Sequence, residues 1–395
     1  MIETLLSFQL AEQILMGAAA ALFLIQLYYY RVPYARPFRR LRREGEDAAS
    51  VGKERVLPPV SVIVYAKNES ENLKRFLPLL LKQDHPEYEV IVINDGSTDE
   101  SDEVLKELET VHKNLYHTYI PMDAKYMSRK KLALTIGVKA AKHELLLFTE
   151  ANCAPLSDHW VSSMAARYDA ETEIVLGFCA LESRKGFFSK LAIYDNLLVG
   201  LQYLSSALKS RPYMGEGGNL SYRKELFFKK KGFSKTLGLQ SGEDDLFVNE
   251  SGNRKNTKTI YTPESIIQRA PYERYRVWKE RKVSRAATRK YYRGFSLFFY
   301  RLEVWTRLLF YISVVLSIVA GCFLNWLTAV VAGVLFALRL VFVLYTFHQS
   351  SRMLCQKPVT GWIPFLEIIL PLYNGYISIY RLFWGKNDYT FYLER

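Results

Sequence analysis

Two apolar runs, 60–64 (VSVIV) and 90–93 (VIVI), are rich in β-branched residues, of strand length and bounded by turn residues. That is the pattern of parallel strands buried on both faces. Between them, Leu73, Phe76, Leu77 and Leu80 recur at helical spacing over 70–82, which places one apolar face against the strands. The stretch 60–99 thus predicts strand, helix and strand, a βαβ unit. The alternation continues with a helix over 100–110, a strand over 115–120, a helix over 130–141 and a strand over 144–148, which predicts a doubly wound α/β sheet. Residues 186–208 are aromatic and aliphatic with little charge, and suit either a core helix or one lying in a membrane interface.

Longer apolar stretches flank this region. Residues 10–30 are interrupted by only Glu12, Gln13 and Gln26, and they lack the basic n-region and small-residue cleavage site of a signal peptide, so an uncleaved anchor is expected. Residues 308–324 and 327–347 are each long enough for a bilayer core of about 30 Å and predict a hairpin. Residues 362–380 form a weaker span broken by Glu367, Pro371 and Asn374. Glu367 there requires a partner or water, or marks a re-entrant segment. The expected organisation is a transmembrane anchor (1–31), a basic juxtamembrane linker (32–59), an α/β domain (60–268), basic and aromatic interfacial helices (269–303), and a membrane domain of two or three spans with its tail (304–395).

The chain of 395 residues carries a formal charge of +13. The position of that charge argues against nucleic acid as a partner. Arg31, Arg36, Arg39, Arg40, Arg42 and Arg43 follow the first apolar stretch, and a second basic run, 269–293, precedes the hairpin. Basic residues beside hydrophobic spans mark the cytoplasmic side and meet anionic headgroups. The interleaved aromatic and basic residues of 269–300 also suit single-stranded nucleic acid, but beside apolar spans an interfacial helix is the better reading. Cys153, Cys179, Cys322 and Cys355 show no CxxC spacing, consistent with a reducing compartment and no zinc or disulfide framework.

Polar residues gather just beyond the strands: Lys67, Asn68 and Glu69 after the first, Asn94, Asp95, Gly96 and Ser97 after the second, and Glu150, Ala151 and Asn152 after 144–148. In an open α/β sheet, ligands bind at the carboxyl ends of the strands. NDGSTD alone reads equally as a turn followed by a helix cap; two such clusters in one unit favour a ligand site.

Six segments in order, VSVIVYAKNESENL, VIVINDGSTD, the KKLAL helix, LLLFTEANCAPLSDHW, GEGGNLSYRKELF and SGEDDLF, resemble the inverting, membrane-anchored glycosyltransferases of family 2 over roughly 60–292. The resemblance implies a GT-A (Rossmann-like) nucleotide-sugar-binding domain with transmembrane helices on both sides. It implies that Tyr65, Lys67, Glu69, Asn94 and Asp95 hold the nucleotide, with Asp95 near the base and Glu69 near the ribose and base pocket. It sets Lys130 beside the pyrophosphate and makes Asp244 the catalytic base. Such a transfer needs a base for the acceptor hydroxyl and a positive group for the departing diphosphate. Glu243 and Asp245 would raise the proton affinity of Asp244 if all three faced one site; an acid-rich helix start is the alternative reading. Gly217, Gly218 and Asn219, with Glu243 and Asp245, are expected on the acceptor side, where glycines let backbone approach a sugar.

Two departures stand out. The Asp-X-Asp that holds a divalent metal in the family is Glu150-Ala151-Asn152 here, an oxygen-ligand pair for Mg2+ or Mn2+ with one charge fewer, so weakened metal binding is expected. Where processive relatives carry Gln-X-X-Arg-Trp, this chain reads Arg281-Lys282-Val283-Ser284-Arg285. Arg281, Lys282 or Arg285 would then supply the cation for the diphosphate. The expectation is a multi-pass enzyme of the cell (inner) membrane with a cytoplasmic catalytic domain, a UDP-sugar donor and a lipid-linked or glycan acceptor. A processive polysaccharide synthase and a degenerate, non-catalytic partner are the alternatives.

Overall fold

The computed structural model describes residues 9–48, 57–121 and 128–383. In chain order the elements are α1 (Leu10–Arg31), α2 (Arg36–Ala48), β1 (Val60–Ala66), α3 (Ser70–Leu81), β2 (Tyr88–Asn94), α4 (Ser101–Val111), β3 (Leu115–Tyr119), α5 (Arg129–Ala140), β4 (Leu145–Glu150) and β5 (Cys153–Pro155). Next come α6 (Trp160–Ala165), β6 (Ile174–Leu176), β7 (Cys179–Leu181), α7 (Phe187–Leu208), β8 (Leu220–Arg223), α8 (Lys224–Lys229), α9 (Asp245–Ser251), β9 (Thr257–Thr259) and β10 (Ile267–Arg269). The chain ends with α10 (Tyr275–Thr288), α11 (Ser296–Phe323), α12 (Trp326–Met353) and α13 (Ile363–Phe383).

The main sheet has the order β3-β2-β1-β4-β8-β6-β9, and a small second sheet has the order β5-β10-β7. Strands β3, β2, β1 and β4 are parallel, and β8 runs antiparallel between β4 and β6. Val62, Ile63, Val64, Val90, Ile91, Val92 and Ile93 are fully buried, so both faces of the central strands are covered, as their unbroken apolar runs require. Gly137 lets α5 lie close on the sheet: a Cβ there would sit 2.7 Å from both Ile63 Cγ2 and Ile93 Cδ1. The chain reverses its winding between β1 and β4, where Tyr65 and Glu150 are register partners. This switch point opens the ligand crevice.

Helix α7 resolves the two readings of its segment. It is buried nearly all round and sits between the small sheet and α2, α12 and α13, as a helix apolar on every face must. The linker expected over 32–59 is partly helical. In α2, Phe38 packs edge-on against Tyr345, and Arg36 Nη1 donates to Ser205 O at 2.7 Å; an arginine run with apolar residues on one side has a face to bury. Residues 49–56 and the tail beyond 383 lie outside the described residues.

Among the described residues, four helices are long and apolar enough to cross a membrane. Of these, α1, α11 and α12 pack on one another, with Phe310, Val314 and Ala332 as a small core. Several of their buried polar residues are paired. Glu367 of α13 receives Arg339 Nη1 at 2.8 Å and Nη2 at 3.0 Å, so Arg339 is the partner that an acid in this segment requires. Gln26 Oε1 accepts from Arg339 at 3.0 Å, and Gln26 Nε2 donates to Thr306 Oγ1 at 2.9 Å.

Candidate active site

The two strand-end clusters meet. Asn68 and Gly96 both take left-handed backbone, at φ of 51° and 61°, which asparagine and glycine tolerate. This lets the loops after β1 and β2 lace together: Asn68 N donates to Ser97 Oγ at 2.8 Å, and Thr98 N to Asn68 Oδ1 at 2.8 Å. Asn94 closes the second turn by accepting Ser97 N at 3.1 Å. Asp95 is buried; it receives Tyr65 OH at 2.7 Å and Arg129 Nε at 2.6 Å, with Lys67 Nζ at 4.0 Å. Glu69 accepts from Asn72 at 2.5 Å and from Asn152 Nδ2 at 3.4 Å. Burial pushes the Glu69 carboxyl up to about 7.

Beyond β4, three acids and four cations interlock. Glu150 receives Lys130 Nζ at 2.7 Å and Arg269 Nη2 at 2.9 Å, with Arg281 Nη1 at 4.0 Å. Burial alone would raise its pKa, but Lys130, Arg269 and Arg281 hold it well below the carboxylate range. Glu216 gathers Arg269 Nη1 at 2.7 Å, Arg281 Nη2 at 2.5 Å and Arg285 Nη2 at 3.3 Å. Again burial opposes ionisation, and Arg285, Arg281 and Arg269 outweigh it, holding the carboxyl at about 2. Glu243 Oε1 lies 3.1 Å from Lys130 Nζ. The ammonium of Lys130 is disfavoured by burial but raised overall by Glu150, Glu243 and Asp244.

An open cleft of about 120 Å³ is lined by Lys130, Glu150, Asp244, Arg281, Ser284 and Arg285, among others. Of the three consecutive acids only Asp244 is partly open; Glu243 and Asp245 are buried. Its carboxylate is fixed by two backbone N–H groups, Gly217 N to Oδ2 at 2.8 Å and Asp245 N to Oδ1 at 2.7 Å. Asp245 points inward instead, accepting from Tyr292 OH at 2.6 Å and from Thr288 Oγ1. Burial, then the Asp244 charge, pushes Asp245 up to about 7. All three acids line the cleft, but they hold different partners, because helix α9 begins at Asp245 and turns successive side chains apart. The loop ahead of them is held by Lys131, whose Nζ donates to Thr236 O at 2.5 Å and Leu239 O at 2.8 Å.

Several expected positions are corrected. Lys282 is turned away from the cleft and pairs with Asp195 of α7 at 2.6 Å, since on α10 it projects about 100° from Arg281; burial lowers its ammonium to about 8. Asn219 is buried and donates to Phe178 O at 2.9 Å and Ser265 O at 2.8 Å while accepting Trp160 Nε1 at 3.1 Å. That spends its side chain on the scaffold, not on an acceptor. Gly218 is glycine because Arg269 is there: a Cβ would lie 2.7 Å from Arg269 Nη2 and 3.1 Å from Cys179 Sγ. Asn152 bonds to Glu69 while Glu150 is held by cations, so the two do not act as one ligand pair. Among the described residues, no group of three or more His, Cys, Asp or Glu is arranged to hold a metal ion.

Arg269, Glu216 and Arg129 escape the sequence reading. Arg269 lies at the head of a basic run and reads as the start of an interfacial segment, and Glu216 is hidden in a glycine-rich loop. A lone acid between glycines, facing a chain with surplus arginine, was the available signal.

A doubly wound sheet with a charged crevice at its switch point is the architecture of a GT-A domain. The family model described as glycosyl transferase family 2 matches residues 61–229, and this domain of the chain belongs to that family. The chain is 30% identical over 126 residues to a poly-beta-1,6-N-acetyl-D-glucosamine synthase from Staphylococcus epidermidis, covering 32% of this chain and 28% of that protein. It is 32% identical over 101 residues to the glycosyltransferase AglE of Haloferax volcanii, covering 25% of this chain and 32% of the other. The matches thus span under a third of these relatives. The mannosyltransferase PcManGT from Pyrobaculum calidifontis, in complex with GDP-Man and Mn2+, shares the fold with a TM-score of 0.54 at 18% identity, over 86% of this chain and 96% of that one.

Proposed function

We propose that the protein is a membrane-held inverting glycosyltransferase that moves one sugar, or a few, from a nucleotide-diphosphate sugar to a lipid-linked or saccharide acceptor. The observation that carries this reading is Asp244: an acid open to the cleft, fixed by two backbone N–H groups, beside Lys130, Arg281 and Arg285. In the proposed reaction Asp244 accepts the proton of an acceptor hydroxyl, whose oxygen attacks the anomeric carbon opposite the leaving diphosphate. The carbon–oxygen bond to the diphosphate breaks, and configuration inverts. The departing charge is met by Lys130, Arg281 and Arg285, which in the free protein are neutralised by Glu150, Glu216 and Glu243. The nucleotide occupies the crevice beside Tyr65, Lys67, Glu69, Asn94 and Asp95. A UDP-sugar is the donor proposed, with GDP-mannose the competitor that the PcManGT complex brings in. The basic residues of α2 and α10, next to the apolar helices, support a cytoplasmic catalytic domain at the inner membrane.

The test is transfer and donor binding by the full-length chain with a panel of UDP- and GDP-sugars. Asp244→Asn is expected to lower turnover by about 100-fold or more with donor binding retained. Arg281→Ala and Arg285→Ala are expected to raise donor KM. Activity abolished by chelation, with both arginine variants intact, would overturn the cationic role.

A further inference from the structure

Helix α13 is long and apolar enough to cross a bilayer; it touches the other candidates through Glu367, which accepts from Arg339 of α12 and Tyr311 of α11, but its main packing is elsewhere. It runs along α10 and α7, whereas α1, α11 and α12 pack on one another. Its Ile363, Leu366 and Leu370 belong to the same core as Ile63 and Phe148 of the main sheet. Both of its ends touch the catalytic side. Just before its first residue, Trp362 meets Phe187 at 5.8 Å and lies under Lys190 Nζ at 3.8 Å, both from α7. Near its last turn, Arg381 Nη1 donates to Ala286 O of α10 at 2.5 Å. A helix of 21 residues is about 30 Å long. Were it a span, those two ends would lie on opposite faces of the bilayer, and one domain on one face would not hold both.

The outward face of α13 carries Phe365, Ile368, Leu372, Ile379 and Phe383 at helical spacing, and Phe365 and Leu372 are more than 60% exposed. Nothing among the described residues covers this stripe. Helix α11 carries exposed apolar residues of its own, Trp305, Leu309 and Ile312. Aromatic and basic side chains, Trp362, Tyr376, Lys190 and Lys279, rim the stripe of α13, as they do at a headgroup boundary. The inner face holds α10: Tyr373 stacks on Trp278 at 4.7 Å and 17°, and Lys279 Nζ donates to Tyr376 OH at 3.1 Å. One and two turns from Trp278, α10 presents Arg281 and Arg285 to Glu216.

We infer that α13 lies in the plane of the bilayer at the headgroup–acyl boundary and does not cross it, so that the chain has three spans. Lipid against its outer stripe steadies α10, and through it the two arginines. This deepens the membrane reading above and rests on it. In sealed vesicles holding the full-length chain, single-cysteine variants are labelled with an impermeant maleimide. Cys322, in the last turn of α11, marks the far side, and Lys255→Cys marks the catalytic domain. Arg395→Cys is expected to react from the side of Lys255→Cys. Reaction from the side of Cys322 overturns the inference while leaving the membrane reading intact. Cys322 and Lys255→Cys reacting from one side overturns both. For the link to the site, Tyr373→Ala is expected to raise donor KM by roughly three- to tenfold through loss of the stack, with Tyr373→Phe close to the parent. Unchanged donor KM in Tyr373→Ala would sink that link.

Discussion

Glu216→Gln keeps the shape of the central acid and removes its charge. The side chain is 2% exposed, and three guanidinium groups lie within 3.3 Å. With the carboxyl at about 2 in the folded chain, against the ordinary 4.5, the charge contributes about 3 kcal/mol at neutral pH, at 1.36 kcal/mol for each unit of pKa. Losing one partner of a buried ion cluster costs about 3–5 kcal/mol in other proteins, so the two figures agree. The sign follows from the depressed pKa. The stabilisation is complete above about pH 4.5, declines as pH falls, and is gone near pH 2. Thermal unfolding in detergent of parent and variant, at steps from pH 7 to pH 3, reads this directly. At pH 7 the variant is expected to melt roughly 6–12 °C lower, with the gap narrowing below pH 4.5. A variant within about 0.5 kcal/mol of the parent at pH 7, or a gap that widens on acidification, would refute the assignment of Glu216 as the counter-ion of the arginines; surface positions commonly cost no more than that.

Two further outcomes test the scaffold around the site. Gly200→Ala would place a Cβ 2.2 Å from Phe178 Cε2 inside a packed core and is expected to destabilise by about 1–3 kcal/mol in the same melt. Asn219→Ala removes its bonds to Phe178 O, Ser265 O and the Trp160 indole N–H; Phe178 O keeps Ile267 N at 3.4 Å, and the other two cost about 1–3 kcal/mol each. It should therefore lower the melting temperature sharply; a change in acceptor KM at unchanged stability would return Asn219 to the acceptor side.

Much of the sheet was legible because its strands are buried on both faces. Val60, Val62, Val64, Val90 and Val92 had to form continuous apolar runs, and Leu73, Phe76, Leu77 and Leu80 had to repeat at helical spacing. The polar clusters beginning at Lys67 and Asn94 were legible for the same reason, since they interrupt those runs where the strands end. Asp244 stood out only through its neighbours in the chain, and the direction of each of the three acids did not. That depends on where α9 begins, a matter of one residue.

Periodicity and short motifs thus determined the parallel sheet, the switch-point crevice and the flanking apolar helices, each a consequence of local burial. The charge pairing came from the tertiary structure alone. Glu150, Glu216, Arg269, Arg281 and Arg285 come from β4, a glycine-rich loop, β10 and α10, and no spacing in the chain records that they meet. Their meeting turns the expected metal ligand Glu150 into a partner of cations. The same holds for α13, whose composition suits a span equally well. Only its contacts with α7 and α10 at both ends set it beside the catalytic domain, because hydropathy measures what a helix can enter and not which neighbours hold it.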